Sequence, residues 1–158
     1  MKQIECNIDG VIIKPLEIYS DKRGWLSELF RTDQLPDNLR PMMAYISSTS
    51  AGEIRGPHEH KEQTDHFSFF GSSLFEIYLW DNRPDSASYK KHFRLTTGQD
   101  NPVSIIIPPG VVHGYKNVGD RPGLIFNAPD RLYAGEGKKE TVDEIRYEER
   151  PESGFIIE

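Results

Sequence analysis

The sequence has little of what a secreted, membrane-bound or nucleic-acid-binding protein needs. Its 158 residues include a single cysteine, Cys6, so no internal disulfide can form, which is typical of a reducing compartment. No apolar run is long enough for a signal peptide or a membrane span. Charged residues of both signs are interspersed, with a formal net charge of −6, and they leave no basic stripe suited to nucleic acid. We therefore expect a cytoplasmic protein with neither a nucleic-acid nor a membrane partner.

Helical patterns are also scarce. No window keeps apolar side chains at the i, i+3, i+4, i+7 spacing of an amphipathic helix. Short β-branched or aromatic runs instead alternate with Gly, Pro, Asp and Asn, which is the pattern of a sandwich or barrel. The predicted strands are 11–18, 25–31, 42–48, 53–58, 66–70, 74–80, 92–95, 103–107, 111–117 and 123–127, with one helical turn at 33–36. We predict one all-β domain over 1–158, with a barrel at about 10–128 and a polar arm at about 130–158 that packs on it only partly.

Two histidines stand two residues apart in the run Arg55-Gly56-Pro57-His58-Glu59-His60. On a strand, residues i and i+2 face the same side, so both imidazoles would enter the barrel about 7 Å apart. A second run, Pro108-Pro109-Gly110-Val111-Val112-His113, is a tight turn that launches a strand carrying one more inward histidine. Together the two runs resemble the two-part signature of the cupin superfamily, which implies a double-stranded β-helix, or jelly-roll, barrel.

The remaining histidines are interpreted differently. His66 directly follows Asp65 and should point away from it, so we expect a structural role. His92 stands alone among polar residues and is expected on the surface. For His58 and His60 the alternative is that both are plain surface residues of a strand.

Further motifs narrow the resemblance to one family. They are Asp21-x-Arg23-Gly24-x-x-x-Glu28-x-Phe30, Asp81-x-Arg83-x-x-Ser86 followed by Tyr89, and Ile107-Pro108-Pro109-Gly110-x-x-His113-Gly114-Tyr115. With Arg55-Gly56-x-His58 they resemble the dTDP-4-dehydrorhamnose 3,5-epimerase family over about residues 10–136. The resemblance implies an isomerase that requires no cofactor and acts on a nucleotide-diphosphate 4-keto-6-deoxy sugar, in deoxysugar or cell-surface polysaccharide synthesis. It also implies a homodimer formed through the N-terminal strands.

In that family a histidine base removes a proton beside the 4-keto group, at C3 or C5, and a tyrosine returns one on the opposite face. The resemblance places the base on His58 and a sugar or phosphate contact on Arg55. Nucleotide contacts fall on Arg23 and Glu28, which in the family can come from the partner subunit. The other residues it implicates are His113 as catalytic, and Tyr115 and Arg131 as substrate-binding.

Several positions depart from the family pattern. The family's lysine aligns with Thr64 or Asp65, and its acid tyrosine aligns with Phe126, which cannot donate a proton. Tyr133 is taken as the candidate acid, with Tyr115 as the alternative. The aspartate that orients the family's base is expected to lie beyond the end of this sequence. Two positions that read the nucleotide base in the family are occupied by Met43 and Tyr45, so thymine recognition is not implied.

A metal site is the alternative use of the same residues. His58, His60, Asp65 and His113 would form a set of three nitrogens and one oxygen facing the barrel centre, which suits Zn, Fe, Mn or Ni. A divalent ion would polarise the ketone in place of the lysine, and a metal-bound His58 could not also be the free base. Three hypotheses stay open: an epimerase or keto-isomerase with His58 as base, a metal-dependent cupin enzyme on a related sugar or acid, and a non-catalytic sugar-binding cupin.

Overall fold

The computed structural model describes residues 3–158, and nearly all of its regular structure is β. The strands of this range are β1 Ile12–Pro15, β2 Tyr19–Asp21, β3 Gly24–Leu26, β4 Tyr45–Thr49, β5 Ile54–Glu59, β6 Asp65–Phe70, β7 Phe75–Asp81, β8 His92–Thr97, β9 Val103–Ile107, β10 Val111–Asn117, β11 Gly123–Asn127 and β12 Ile145–Arg146. Short 3₁₀ turns occupy Thr32–Gln34, Glu136–Lys138 and Pro151–Ser153. Within residues 3–158 no helix has the length and apolar character needed to cross a membrane.

The strands form two five-stranded antiparallel sheets and a small hairpin. Sheet 1 has the order β1-β9-β6-β11-β4, sheet 2 has the order β12-β5-β10-β7-β8, and β2 pairs with β3. Because neighbours in each sheet are mostly distant in sequence, the chain crosses between the sheets repeatedly. This double-layered antiparallel arrangement is the jelly-roll barrel that the two histidine motifs imply.

The core lies between the two sheets at one end of the barrel. Phe69 of sheet 1 packs edge-on against Phe75 and Tyr115 of sheet 2, with ring centroids 5.6 and 5.3 Å apart. Strands β6 and β9 are buried along almost their whole length because the N-terminal segment covers their outer face, where Phe30 contacts His66. Apolar side chains therefore close one end of the barrel, and the polar residues gather at the other.

Most predicted strands are confirmed. The bounds of β9, β10 and β11 coincide with those predicted, and the helical turn near residue 33 forms at Thr32–Gln34. The prediction of a strand over 25–31 is wrong beyond Leu26, because the segment leaves the hairpin and crosses the back of sheet 1. The hairpin β2–β3 and the strand β12 were not predicted, since each is only two or three residues long.

The arm after residue 130 returns to sheet 2. Its strand β12 pairs with β5, with Ile145 opposite Glu59 and Arg146 opposite His58. Beyond it, the Tyr147 hydroxyl donates to Glu59 at 2.5 Å, and Phe155 packs against the Tyr147 ring at 4.9 Å. The arm consequently brings new side chains to the wall that carries the histidines.

Candidate active site

The polar end of the barrel opens into a cavity of about 1580 Å³ lined by both sheets and by the arm. On one wall, His58 of β5 lies directly opposite His113 of β10 in the strand pairing. This close approach depends on Gly56, since a Cβ there would stand 2.7 Å from the His113 carbonyl oxygen. On the other wall, Asp65 begins β6 and reaches across to the histidines.

Four side chains converge at this point. His58, His60, Asp65 and His113 each place one nitrogen or oxygen within 4.8 Å of the others. Asp65 Oδ2 lies 3.2 Å from His60 Nε2 and 3.1 Å from His113 Nε2. The alternation of β5 and the turn before β10 thus bring together the residues that the two sequence motifs single out. His66 faces the opposite side of β6, where its Nε2 and the Ser104 hydroxyl are 2.6 Å apart.

Backbone carbonyls fix two of the imidazoles. His113 Nδ1 donates to the Val111 carbonyl at 2.9 Å, and His60 Nδ1 lies against the Asp143 carbonyl. With hydrogen on each Nδ1, the Nε2 atoms of both rings face Asp65 Oδ2. Asp65 Oδ2 and His113 Nε2 are buried without another hydrogen-bond partner. A proton or a metal ion between the carboxylate and the rings would satisfy both atoms.

The other carboxylate oxygen is fully occupied. Asp65 Oδ1 accepts from Gln63 Nε2 at 2.9 Å and from Asn127 Nδ2 at 2.8 Å. Burial opposes the charged form of Asp65, but hydrogen bonds from His113 and His60 hold its pKa well below the usual value. Burial also lowers the pKa of His60, yet the hydrogen bond and charge of Asp65 outweigh it and raise that pKa to about 8. Asp65 is accordingly an anion that lies between the rings of His60 and His113.

His58 has a different environment. Its ring packs 4.4 Å from that of His113, and its Nδ1 lies 3.9 Å from Glu144 Oε1 on the arm. Burial, and secondly the neighbouring His113, lower the pKa of His58 to about 2. The resting imidazole is therefore neutral, and the Glu144 carboxylate lies beside it.

Tyr45 of β4 faces the same cavity from sheet 1. Its hydroxyl oxygen accepts a hydrogen bond from Asn127 Nδ2 at 3.0 Å, and the same amide nitrogen donates to Asp65. Burial raises the pKa of Tyr45 to about 12, so the phenol keeps its proton at neutral pH. Phe126, the neighbour of Asn127, pairs with Ile46 on the outer face of sheet 1.

The other residues named from the sequence lie at different positions in the cavity, from its buried interior to its exposed rim. Arg55 lines the cavity and donates to Thr49 Oγ1 at 3.0 Å. Tyr115 also lines the cavity but is only 5% exposed, and burial raises its pKa. Tyr133 stands on the rim and is 53% exposed, with its backbone N–H directed at Met43 Sδ. Arg131, also on the rim, pairs with Glu62 at 2.9 Å.

Two of the named residues are outside the cavity of their own chain. The Arg23 side chain is 82% exposed and pairs with Asp21 in the β2–β3 hairpin. Glu28 lies near Arg31 and lines a smaller cavity on the back of sheet 1. Neither lines the cavity that contains His58.

Sequence reasoning missed several polar residues of the site. They are Gln63, Asn127, Asp143 and Glu144, and Tyr45 was named only as the occupant of a base-reading position of the family. Asn127 could have been found, because it shares an inward face with Gly123 and Ile125 of the predicted strand. Asp143 and Glu144 carry no comparable signal, since the arm has no strand or helix periodicity.

A jelly-roll barrel with a cluster of histidines and one carboxylate at its open end is the architecture of a cupin enzyme. The sequence model of the family described as dTDP-4-dehydrorhamnose 3,5-epimerase matches residues 5–144. The protein belongs to this family of sugar-nucleotide isomerases, whose members generally need no cofactor.

Curated relatives and solved structures agree with this assignment. A probable low-salt glycan biosynthesis epimerase, Agl13 of Haloferax volcanii, is 36% identical over 128 residues, covering 80% of this chain and 81% of its own. The spore coat polysaccharide biosynthesis protein SpsL of Bacillus subtilis is 37% identical over 121 residues, covering 75% and 78%. The crystal structure of a dTDP sugar isomerase from Desulfovibrio desulfuricans superposes with a TM-score of 0.80 at 22% identity, covering 90% of this chain and 87% of that one, which supports the shared fold.

Proposed function

We propose that this cupin domain epimerises a nucleotide-diphosphate 4-keto-6-deoxy sugar at C3, C5 or both, for deoxysugar or cell-surface polysaccharide synthesis. The observation that carries the proposal is His58, a neutral imidazole that faces a large cavity with Glu144 behind it. The glycan and spore coat relatives support this pathway class. We also propose that it works in the cytoplasm, a reducing compartment that suits its single cysteine.

The chemistry begins with proton abstraction next to the ketone. His58 takes the hydrogen on C3 or C5 through the ring nitrogen that faces the cavity, and the electrons of the C–H bond pass into an enolate. Glu144 stabilises the imidazolium, and the developing oxyanion requires a donor or a positive charge. Arg55 lines the cavity and can supply it. We assign His113 to holding Asp65, and therefore His60, in place.

The substrate's nucleotide end needs contacts away from the histidines. Arg55, Tyr115 and Arg131 all line the cavity and are proposed to bind the sugar and diphosphate. Arg23 and Glu28 lie outside it, which supports their use in the partner's cavity of a homodimer. The back of sheet 1 supports such a dimer because it presents exposed apolar side chains, Ile46 and Leu124 among them.

The test is deuterium exchange into dTDP-4-keto-6-deoxyglucose in D₂O, followed by NMR. We expect deuterium at C3 or C5 with the native protein and a loss of at least roughly 10³-fold with His58→Asn, since no other base replaces the imidazole. His92→Asn, a change at an exposed histidine of β8, should leave exchange unchanged. Binding of the sugar nucleotide without any exchange would refute the proposal and favour a sugar-binding cupin.

A metal-dependent form of the enzyme is the second candidate, and the buried Asp65 Oδ2 and His113 Nε2 favour it. Ligand atoms around a zinc-type ion at about 2.0–2.2 Å are separated by roughly 3.2–3.5 Å, close to the spacing at Asp65. His60, Asp65 and His113, with or without His58, would hold Zn, Fe, Mn or Ni, which would polarise the ketone. Metal analysis of the purified protein, and exchange repeated after chelator treatment, separate the two candidates: only the second predicts bound metal and lost exchange.

A further inference from the structure

Epimerisation places a geometric demand on the site. The proton must leave one face of the sugar ring and return to the opposite face, so the base and the acid cannot share a wall of the cavity. His58 belongs to β5 of sheet 2. The acid must then be a proton donor carried by sheet 1 or by a segment that faces sheet 2.

Three tyrosines among the residues described line the cavity, and two of them do not meet this demand. Tyr115 belongs to β10, where it pairs with Arg55 of β5, so it shares a wall with the base. Its ring is enclosed by phenylalanines, among them Phe69 and Phe75. Tyr133 lies on the exposed rim, where no hydrogen bond from the described residues orients its hydroxyl.

Tyr45 meets the demand. It belongs to β4 of sheet 1, on the wall that faces His58. Its hydroxyl oxygen accepts a hydrogen bond from Asn127 Nδ2 at 3.0 Å, which leaves the hydroxyl hydrogen free to be donated.

The amide that holds this hydroxyl is itself fixed. Asn127 accepts from the backbone N–H of His66 at 3.0 Å and donates to Asp65 at 2.8 Å. When Tyr45 loses its proton, the same Asn127 N–H stabilises the phenolate. Tyr45 is thus positioned by a network that also holds the histidine cluster, and the network requires no rearrangement during proton transfer.

We propose that Tyr45 is the acid that completes the epimerisation, an assignment that rests on the proposed function. After His58 has taken the proton, the enolate carbon takes the Tyr45 hydroxyl proton on the opposite face, and the electrons of the O–H bond stay on oxygen as a phenolate. The phenolate regains a proton from solvent and the His58 imidazolium releases one to solvent, so the reaction is balanced without a co-reactant. The substrate class is a sugar nucleotide with a ketone next to the inverted carbon.

Tyr45→Phe tests the assignment by separating exchange from inversion. Without the acid, His58 still abstracts the proton and returns solvent deuterium to the same face. We expect exchange at C3 or C5 within about threefold of the native rate and formation of the epimer reduced roughly 100-fold or more. Tyr89→Phe, at an exposed tyrosine away from the cavity, is the matched control with both rates unchanged.

Each other outcome overturns the assignment. Epimer formation at the native rate in Tyr45→Phe, or the separated phenotype in Tyr133→Phe instead, would place the acid elsewhere. Loss of exchange together with inversion would make Tyr45 a substrate-binding residue. Absence of exchange in the native protein would refute the proposed function itself, which is a distinct result. The variant is expected to fold, because the residue is 43% exposed and loses one hydrogen bond, and a thermal melt checks this.

Discussion

The proposed base, His58, has one carboxylate beside it that lies outside the barrel strands. Glu144 Oε1 lies 3.9 Å from His58 Nδ1, and its other oxygen pairs with Arg146 at 2.8 Å. A unit charge pair at such a distance is worth about 4 kcal/mol near a protein surface. That interaction exists only after the imidazole has taken a proton, so it lowers the energy of the enolate state and not that of the resting enzyme.

Glu144→Gln should therefore slow turnover more than it weakens binding. Since the cavity is open to solvent, only a part of the full charge interaction should be lost. We therefore expect kcat to fall roughly 10- to 100-fold, with KM changed less than about threefold. Steady-state kinetics on the 4-keto sugar nucleotide measure both. Glu144→Asp should recover part of the rate, and Glu149→Gln, at an exposed glutamate of the same arm, should have none of these effects. A change confined to KM would argue that Glu144 binds substrate.

Sequence reasoning reaches some residues of the site and not others for a physical reason. His60 directly follows β5, which carries His58, so the alternation of an extended chain brings both imidazoles to one side. Glu144 reaches His58 only because β12 pairs with β5, a contact that no local pattern reports. Counting along the chain from His113 gives Phe126 as the position of the acid, but alternation turns that side chain to the outer face of sheet 1 and turns Asn127 inward.

At the scale of elements, the arm holds the turn between β5 and β6. The Asp143 carboxylate accepts hydrogen bonds from the backbone N–H groups of Lys61, Glu62 and Gln63 at 2.9–3.0 Å. These bonds keep the pKa of Asp143 low in spite of its burial. The backbone carbonyl of the same residue contacts His60, so one residue orders both the turn and an imidazole of the site.

Asp143→Ala should loosen this turn. Because the loss leaves three backbone donors without their charged acceptor, we expect a destabilisation of about 2 kcal/mol, or roughly 4–8 °C in the melting temperature for a chain of this size. Differential scanning calorimetry measures it, with Glu152→Ala, at an exposed acid on the same arm, as the control. An unchanged melting temperature would mean that the turn between β5 and β6 is ordered without the arm.

Elements are predictable from sequence where both faces or alternate faces are buried. The strands β9, β10 and β11 were predicted with their bounds because glycine or proline punctuates runs of buried apolar residues. Residues 27–31 include the apolar Leu29 and Phe30 but cross the back of sheet 1 instead of pairing, and Arg31 bonds locally to Asp33. Periodicity cannot distinguish a segment that lies on a sheet from a segment that joins one.

At the scale of the whole molecule, the two sheets contribute different groups to the proposed reaction. Sheet 2 carries the proposed base, sheet 1 carries the proposed acid, and the arm lines the cavity between them. The back of sheet 1 remains uncovered at its β4 edge. There the outward side chains are apolar and adjacent in the strand pairing, since Ile46 is opposite Phe126 and Leu124 is opposite Phe70. The Trp25 ring of the hairpin contacts Phe70 at 6.4 Å and extends the same surface.

An exposed apolar surface of this kind is expected to be covered by a second copy of the chain. Replacing Ile46 and Leu124 together by glutamate places two charges in the surface, and we expect the dimer to dissociate to a monomer of half the mass by light scattering. Ile156→Glu, at an equally exposed side chain on the arm, should leave the dimer intact. If Arg23 and Glu28 serve the partner's cavity, epimerase activity should fall in parallel with dimer content across protein concentrations. A native protein that is monomeric, or a fully active monomeric variant, would refute both the dimer and the shared site.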